Sequence, residues 1–157
     1  HMDAAKGAYI IKNYDDSRPK EGLVIIRGTS STSSLIKILP KIKADGLNVK
    51  IVAAISWELF QLQSEKYRQS IIAENEWMDA MIITNGARRL MHNWIANRVV
   101  EEYSMSPDFD NRWRTGGTLD EIIAESQLDP DSIWDGINRF AEERDERLAS
   151  VRASIPE

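Results

Sequence analysis

The residues best placed to meet a ligand are Gly28-Thr29-Ser30-Ser31-Thr32-Ser33-Ser34, which join the apolar run Leu23-Val24-Ile25-Ile26 to a helical pattern. An apolar run without alternation marks a strand covered on both faces, so the turn falls at the carboxyl end of a central strand. Unpaired N–H groups and the dipole of a helix N-terminus favour an anion there, and hydroxyls add donors. Open α/β sheets also collect their ligands at strand carboxyl ends. The stretch matches neither GxGxxG nor GxxxxGK[ST], the fingerprints of a dedicated phosphate loop. Gly28, Thr29, Ser30, Ser31 and Thr32 are therefore the candidate anion-binding residues, set against a serine-rich turn that only caps a helix.

No other group of residues forms a catalytic pattern. His92, in Arg88-Arg89-Leu90-Met91-His92-Asn93-Trp94, has no serine, cysteine or carboxylate at a spacing that would make it a base, and reads as a surface or packing histidine. The acidic pairs Glu74/Glu76 and Asp108/Asp110 read as loop carboxylates. Trp57, Trp77, Trp94, Trp113 and Trp134 fall at element ends and are expected to serve in core or interface packing. With no cysteine, and only His1 and His92 as histidines, disulfides, thiolate metal sites and multi-histidine metal sites are excluded by composition.

The elements that position the Gly28 turn follow from periodicity. Strands are expected at residues 8–12, 23–26, 49–54, 80–84 and 99–103, the last an edge strand. Leu35, Ile36, Leu39 and Ile42 repeat at helical spacing, with Ser31 to Ser34 as N-caps and Gly46 ending the helix, so a helix spans 32–45 with a kink at Pro40. Strand, helix, strand in that order is a parallel right-handed crossover. Further helices are expected at 64–72 and 88–95, at Thr118 with Glu121 as a capping box, and from Asp129-Pro130 with the stripe Ile133, Trp134, Ile137 and Phe140. Residues 142–147 read as a solvated face that projects or frays.

A chain of 157 residues, 42% hydrophobic and 29% charged, is the size and composition of one globular domain. Its net charge of −5 argues against nucleic acid as a partner, and Arg112-Trp113-Arg114 is too short a basic cluster to track a strand. The apolar runs are far shorter than a membrane span and no signal-type segment follows the start, so no membrane partner and a cytoplasmic setting are expected. His1-Met2 resembles a cloning scar; residues 1–6 are read as a tag remnant or leader and 7–157 as the single domain.

Several phrases in order resemble the C-terminal domain of transketolase. Gly7-Ala8-Tyr9-Ile10 is similar to that domain's opening strand, and Gly22 to Gly28 with Thr29-Ser30 to its second strand and turn. Ala44-Asp45-Gly46-Leu47-Asn48-Val49-Lys50-Ile51-Val52 resembles its helix end and third strand, and Ser56, Leu59-Phe60, Gln63 and Tyr67 fall at matching places. The resemblance implies a three-layer α/β/α fold with a five-stranded mixed sheet, the first strand antiparallel to the rest. It implies a parent enzyme of the pentose phosphate pathway that moves a two-carbon ketol unit between sugar phosphates with thiamine diphosphate and Mg2+. In that family the cofactor sits in the two preceding domains, so this domain would hold no cofactor and would join the remaining domains or subunit in a homodimer. Asp45-Gly46 with Asn75 only loosely follows the metal motif of thiamine diphosphate, and Ala44 replaces its first glycine. Trp113-Arg114-Thr115-Gly116-Gly117-Thr118 departs from the family's usual turn toward that of 2-oxo-acid dehydrogenase relatives, which leaves that parent reaction open; separately, Gly28 to Ser34 leave open a small-anion or nucleotide-binding regulatory domain. The segment Met105 to Trp113 takes no role from the resemblance.

Overall fold

The computed structural model describes residues 2–112, 114 and 116–154. After a 3-10 turn at Met2–Lys6, the chain runs β1 (Ala8–Lys12), β2 (Leu23–Arg27), α1 (Thr29–Ala44) and β3 (Lys50–Ala54). Three short helices follow, α2 (Trp57–Gln61), α3 (Glu65–Ile71) and α4 (Glu74–Trp77), before β4 (Ala80–Thr84). A 3-10 helix (Arg88–Trp94), α5 (Arg98–Glu101), α6 (Leu119–Glu125), α7 (Pro130–Glu142) and α8 (Arg144–Ser154) complete it.

The sheet order is β1-β3-β2-β4, with β1 antiparallel to β3 and the other pairings parallel. Leu23 and Ile25 face one side of β2 and Val24 and Ile26 the other, and all four are buried because both sides are covered. On one face α1 and α7 pack Leu35, Ile38, Ile42, Ile133, Ile137 and Phe140 against the sheet. On the other, Phe60, Ile71, Ile72, Met91 and Trp94 form the second core. The α/β/α layering expected from sequence is therefore present.

Among the described residues the sheet has four strands, not five. Val99 and Val100 lie in α5, where the Asn97 carboxamide caps the helix by accepting the Val100 N–H at 3.0 Å. The edge position beside β4 is filled five residues further on by a single bridge. Met105 N–H donates to Ile82 O at 2.8 Å and Thr84 N–H to Met105 O at 2.9 Å.

The second correction concerns the C-terminal charged face. Residues 144–154 form a helix that docks, with Arg147 and Val151 buried. Arg147 Nε donates to Asp79 Oδ1 and Arg144 Nε to Asp79 Oδ2, each at 2.8 Å, while the Arg147 guanidinium lies 3.5 Å from the Phe140 ring centroid. Asp79 immediately precedes β4, so this clamp ties α8 to the amino end of the sheet. Asn48 performs a similar task nearby: its side chain accepts Asp15 N–H and donates to the carbonyls of Asp15 and Pro19, holding the long β1–β2 loop.

Candidate functional site

Helix α1 begins earlier than its serine caps suggested. Gly28 is the N-cap, with φ 102° and ψ 150°, a conformation open in practice only to glycine. A Cβ on Gly28 would fall 1.7 Å from Asn85 Oδ1, so the β2 turn and the β4 turn are in close contact. No side chain caps α1. Ser31 and Ser34 are buried on its inner side, and the Ser31 hydroxyl donates back to Arg27 O at 2.7 Å. Ser30 Oγ accepts Asn85 Nδ2 at 3.0 Å.

Of the five candidate residues, Gly28, Thr29 and Thr32 line a cleft of about 670 Å³ at the carboxyl ends of β2 and β3. Ser30 is engaged with the β4 turn and Ser31 with the backbone behind it. The remaining walls are mostly apolar: Tyr9, Ile26, Ala53 and Ala54, with Ile36 and Ile55 left 54% and 44% exposed. Arg27 and Lys37 supply the cationic groups at this cleft. Its chemistry is that of an apolar surface with a polar helix N-terminus at one side.

The other residues singled out from sequence serve structural bonds. His92 is exposed and its Nδ1 lies 3.0 Å from Arg89 O. Glu76 accepts the buried Lys50 ammonium at 2.7 Å. Asp108 accepts the Arg88 N–H, and Asp110 is bound by Arg112 and Arg114, whose guanidinium groups bring its pKa down to about 2. Trp113 and Thr115 lie outside the described residues, and with them part of the basic cluster and of the departing turn. The Asp45–Asn75 pair does not fit a thiamine diphosphate metal: the Asp45 carboxylate takes Lys41 Nζ at 2.6 Å at the end of α1, and Asn75 stands on α4. Among the described residues, no three His, Cys, Asp or Glu side chains are grouped to hold a metal ion.

A central parallel pair extended to both sides, an antiparallel edge strand and helices on both faces define an open three-layer α/β domain with its cleft at the strand carboxyl ends. The chain belongs to the transketolase C-terminal domain family: the family model described as "Transketolase-like TK C-terminal domain" matches residues 7–106, more than half of the chain. It is 36% identical to a chloroplastic transketolase of Solanum tuberosum over 70 residues, covering 44% of this chain and 9% of that one. It is 30% identical to transketolase 2 of Escherichia coli K12 over 73 residues, 46% of this chain and 10% of that one. The fold is shared with transketolase from Leishmania mexicana, with a TM-score of 0.66 and 15% identity over 91% of this chain and 19% of that chain. Transketolase from Campylobacter jejuni gives a TM-score of 0.61 at 11% identity over 83% of this chain and 18% of that chain. The chain thus spans about a tenth of the length of these curated relatives and under a fifth of the solved chains.

Proposed function

We propose that this chain is the C-terminal domain of a transketolase, whose parent enzyme transfers a two-carbon ketol unit between sugar phosphates, and that its share of that function is assembly and stability. Thiamine diphosphate and Mg2+ are assigned to the other domains or subunit, and residues 7–157 to a single domain preceded by a short leader. The observation that carries this reading is the apolar cleft beside Gly28, where Ile36 and Ile55 face solvent on the walls of one open hollow, whereas Leu62, Leu90 and Leu119 are exposed outside it. Apolar surface of this kind at the open end of a sheet suits a partner domain or a second copy. Among the described residues no helix is long and apolar enough to cross a membrane, and a cytoplasmic setting remains part of the proposal.

The test is co-expression with the polypeptide carrying the cofactor-binding domains from the same genome, followed by light scattering. A complex is expected, and Ile36→Asp with Ile55→Asp should weaken it at least about tenfold, the cost of placing two charges in an apolar contact. Failure to associate, or association at unchanged affinity in the double variant, contradicts the assembly role.

A second reading is favoured by one detail: α1 has no side-chain cap, so the N–H groups of its first turn remain for an anion, with Arg27 and Lys37 nearby. Calorimetry with inorganic phosphate and with ribose 5-phosphate tests it. Heat reduced by Thr29→Ala and Ser30→Ala supports an anion site, and no heat with either compound leaves the turn as a helix start.

A further inference from the structure

Three of the tryptophans, which the sequence scatters over 38 positions, meet on the face of the sheet opposite α1. Trp57 stands edge-on to Trp94 with centroids 5.0 Å apart and planes at 82°, Phe60 stacks on Trp94 at 5.6 Å and 28°, and Trp77 Nε1 donates to Trp94 O at 2.9 Å. Trp57 and Trp77 are partly exposed and, with the buried Phe60 and Trp94 behind them, line an open hollow of about 340 Å³. That volume lies in the range of small-molecule sites. Its rim carries Arg68, held by Gln61 O at 2.9 Å, and Glu74.

Trp57 and Trp94 also wall a second, smaller hollow of about 230 Å³ at the carboxyl end of β2, lined by Arg27, Arg89 and His92. Its one carboxylate, Glu58, is already engaged by the Ser56 hydroxyl at 2.8 Å, and its pKa is lowered by its own backbone N–H and by that hydroxyl. In a chain of net charge −5, the two hollows gather Arg27, Arg68 and Arg89 with His92 against Glu58 and Glu74.

We infer that the paired hollows on either side of Trp57 and Trp94 form a binding site for a flat ring carrying an acidic group. The ring stacks in the aromatic hollow, and the phosphate or carboxylate meets Arg27 and Arg89 in the smaller one. Aromatic faces supply area and orientation at little conformational cost, and the guanidinium groups supply charge-assisted hydrogen bonds. This site is separate from the Gly28 cleft, and the two share only Arg27.

The test uses the whole chain and follows tryptophan fluorescence and the indole N–H resonances. AMP and indole-3-acetate are the ring acids, adenosine and indole their neutral counterparts, and inorganic phosphate the charge alone. At least one ring acid should saturate below about 1 mM and bind at least about tenfold tighter than its neutral ring or phosphate. Arg89→Ala and Trp57→Ala should each weaken it about tenfold, whereas Lys43→Ala, exposed on α1 across the sheet, should leave it unchanged. Arg89 is exposed, so its variant keeps the fold whether or not Trp57→Ala does. Absence of saturation by both ring acids up to about 10 mM, or equal binding of acid and neutral ring, overturns the inference.

Discussion

Replacing Arg147 by methionine keeps most of the side-chain volume and removes the charge that faces Asp79 across the end of the sheet. Asp79 and Arg147 are 5% and 0% exposed at their side chains, so the carboxylate left behind cannot turn to water. Breaking such a pair costs about 3–5 kcal/mol, because one charge remains buried without its partner. Two features bring the figure to the lower end. Asp79 keeps Arg144 at 2.8 Å, and Arg147 Nη2 is a buried donor without a partner whose removal relieves about 1 kcal/mol. The expected loss is therefore about 3 kcal/mol; with a urea m value of about 2 kcal/mol/M, the unfolding midpoint falls by about 1.5 M. Circular dichroism in urea reads this directly. The double variant Asp79→Asn with Arg147→Met should recover much of the loss, since no buried charge is then stranded and Arg144, which loses its carboxylate, is 32% exposed at its side chain. A single-variant loss under about 1 kcal/mol, or a double variant as unstable as the sum of the two singles, refutes the reasoning.

Gly28→Ala should destabilise the domain by about 2–3 kcal/mol in the same assay, from a backbone region that alanine avoids and a Cβ set against Asn85. Asn85→Gly in that background should restore only the steric part. Asp129 caps α7 through the N–H groups of Asp131 and Ser132, and Asp129→Ala should cost about 1 kcal/mol near neutral pH by thermal melting. Partial burial pushes the Asp129 pKa up, but the Ser132 hydroxyl and those N–H groups outweigh it and bring the pKa below the ordinary value. The cap is therefore fully effective above about pH 4 and is lost as pH falls through the folded-state value, so the variant's deficit should shrink in acid. Carbon-detected titration should place the Asp110 carboxylate at about 2, and Arg112→Ala should raise it, since the Arg112 guanidinium is the largest cause of its depression.

The central strands of this domain were legible because a sheet covered on both faces needs continuous apolar runs, which 23–26 and 80–84 supply, while 8–12 and 49–54 are β-forming stretches that carry Lys12 and Lys50. The Thr118–Glu121 box and the Asp129-Pro130 start were legible for local reasons as well, since capping is decided within four residues. What failed was set by distance in sequence. Val99-Val100 has strand-forming residues, but Asn97 caps a helical turn there and the ladder beside β4 resumes only at Met105. Arg147 looks like one more charge on a solvated face, and its burial depends on Asp79, 68 residues earlier. The Gly28 turn was rightly placed at a strand's carboxyl end, yet its cleft is more apolar than its serines suggest, because Ser31 and Ser34 turn inward. Trp57, Trp77 and Trp94 each read as a lone packing residue; only the fold brings three separate elements around one hollow.

The central claim, that this chain completes a larger thiamine-dependent enzyme and does not turn over substrate alone, is tested most directly by a ketol-transfer assay. Xylulose 5-phosphate and ribose 5-phosphate are supplied with thiamine diphosphate and Mg2+ to the chain, to the polypeptide bearing the cofactor-binding domains, and to the two together. Transfer by the mixture that exceeds transfer by the cofactor-binding polypeptide alone, with none from the chain by itself, is the predicted result. Transfer by the isolated chain, or a mixture no more active than the cofactor-binding polypeptide, contradicts it.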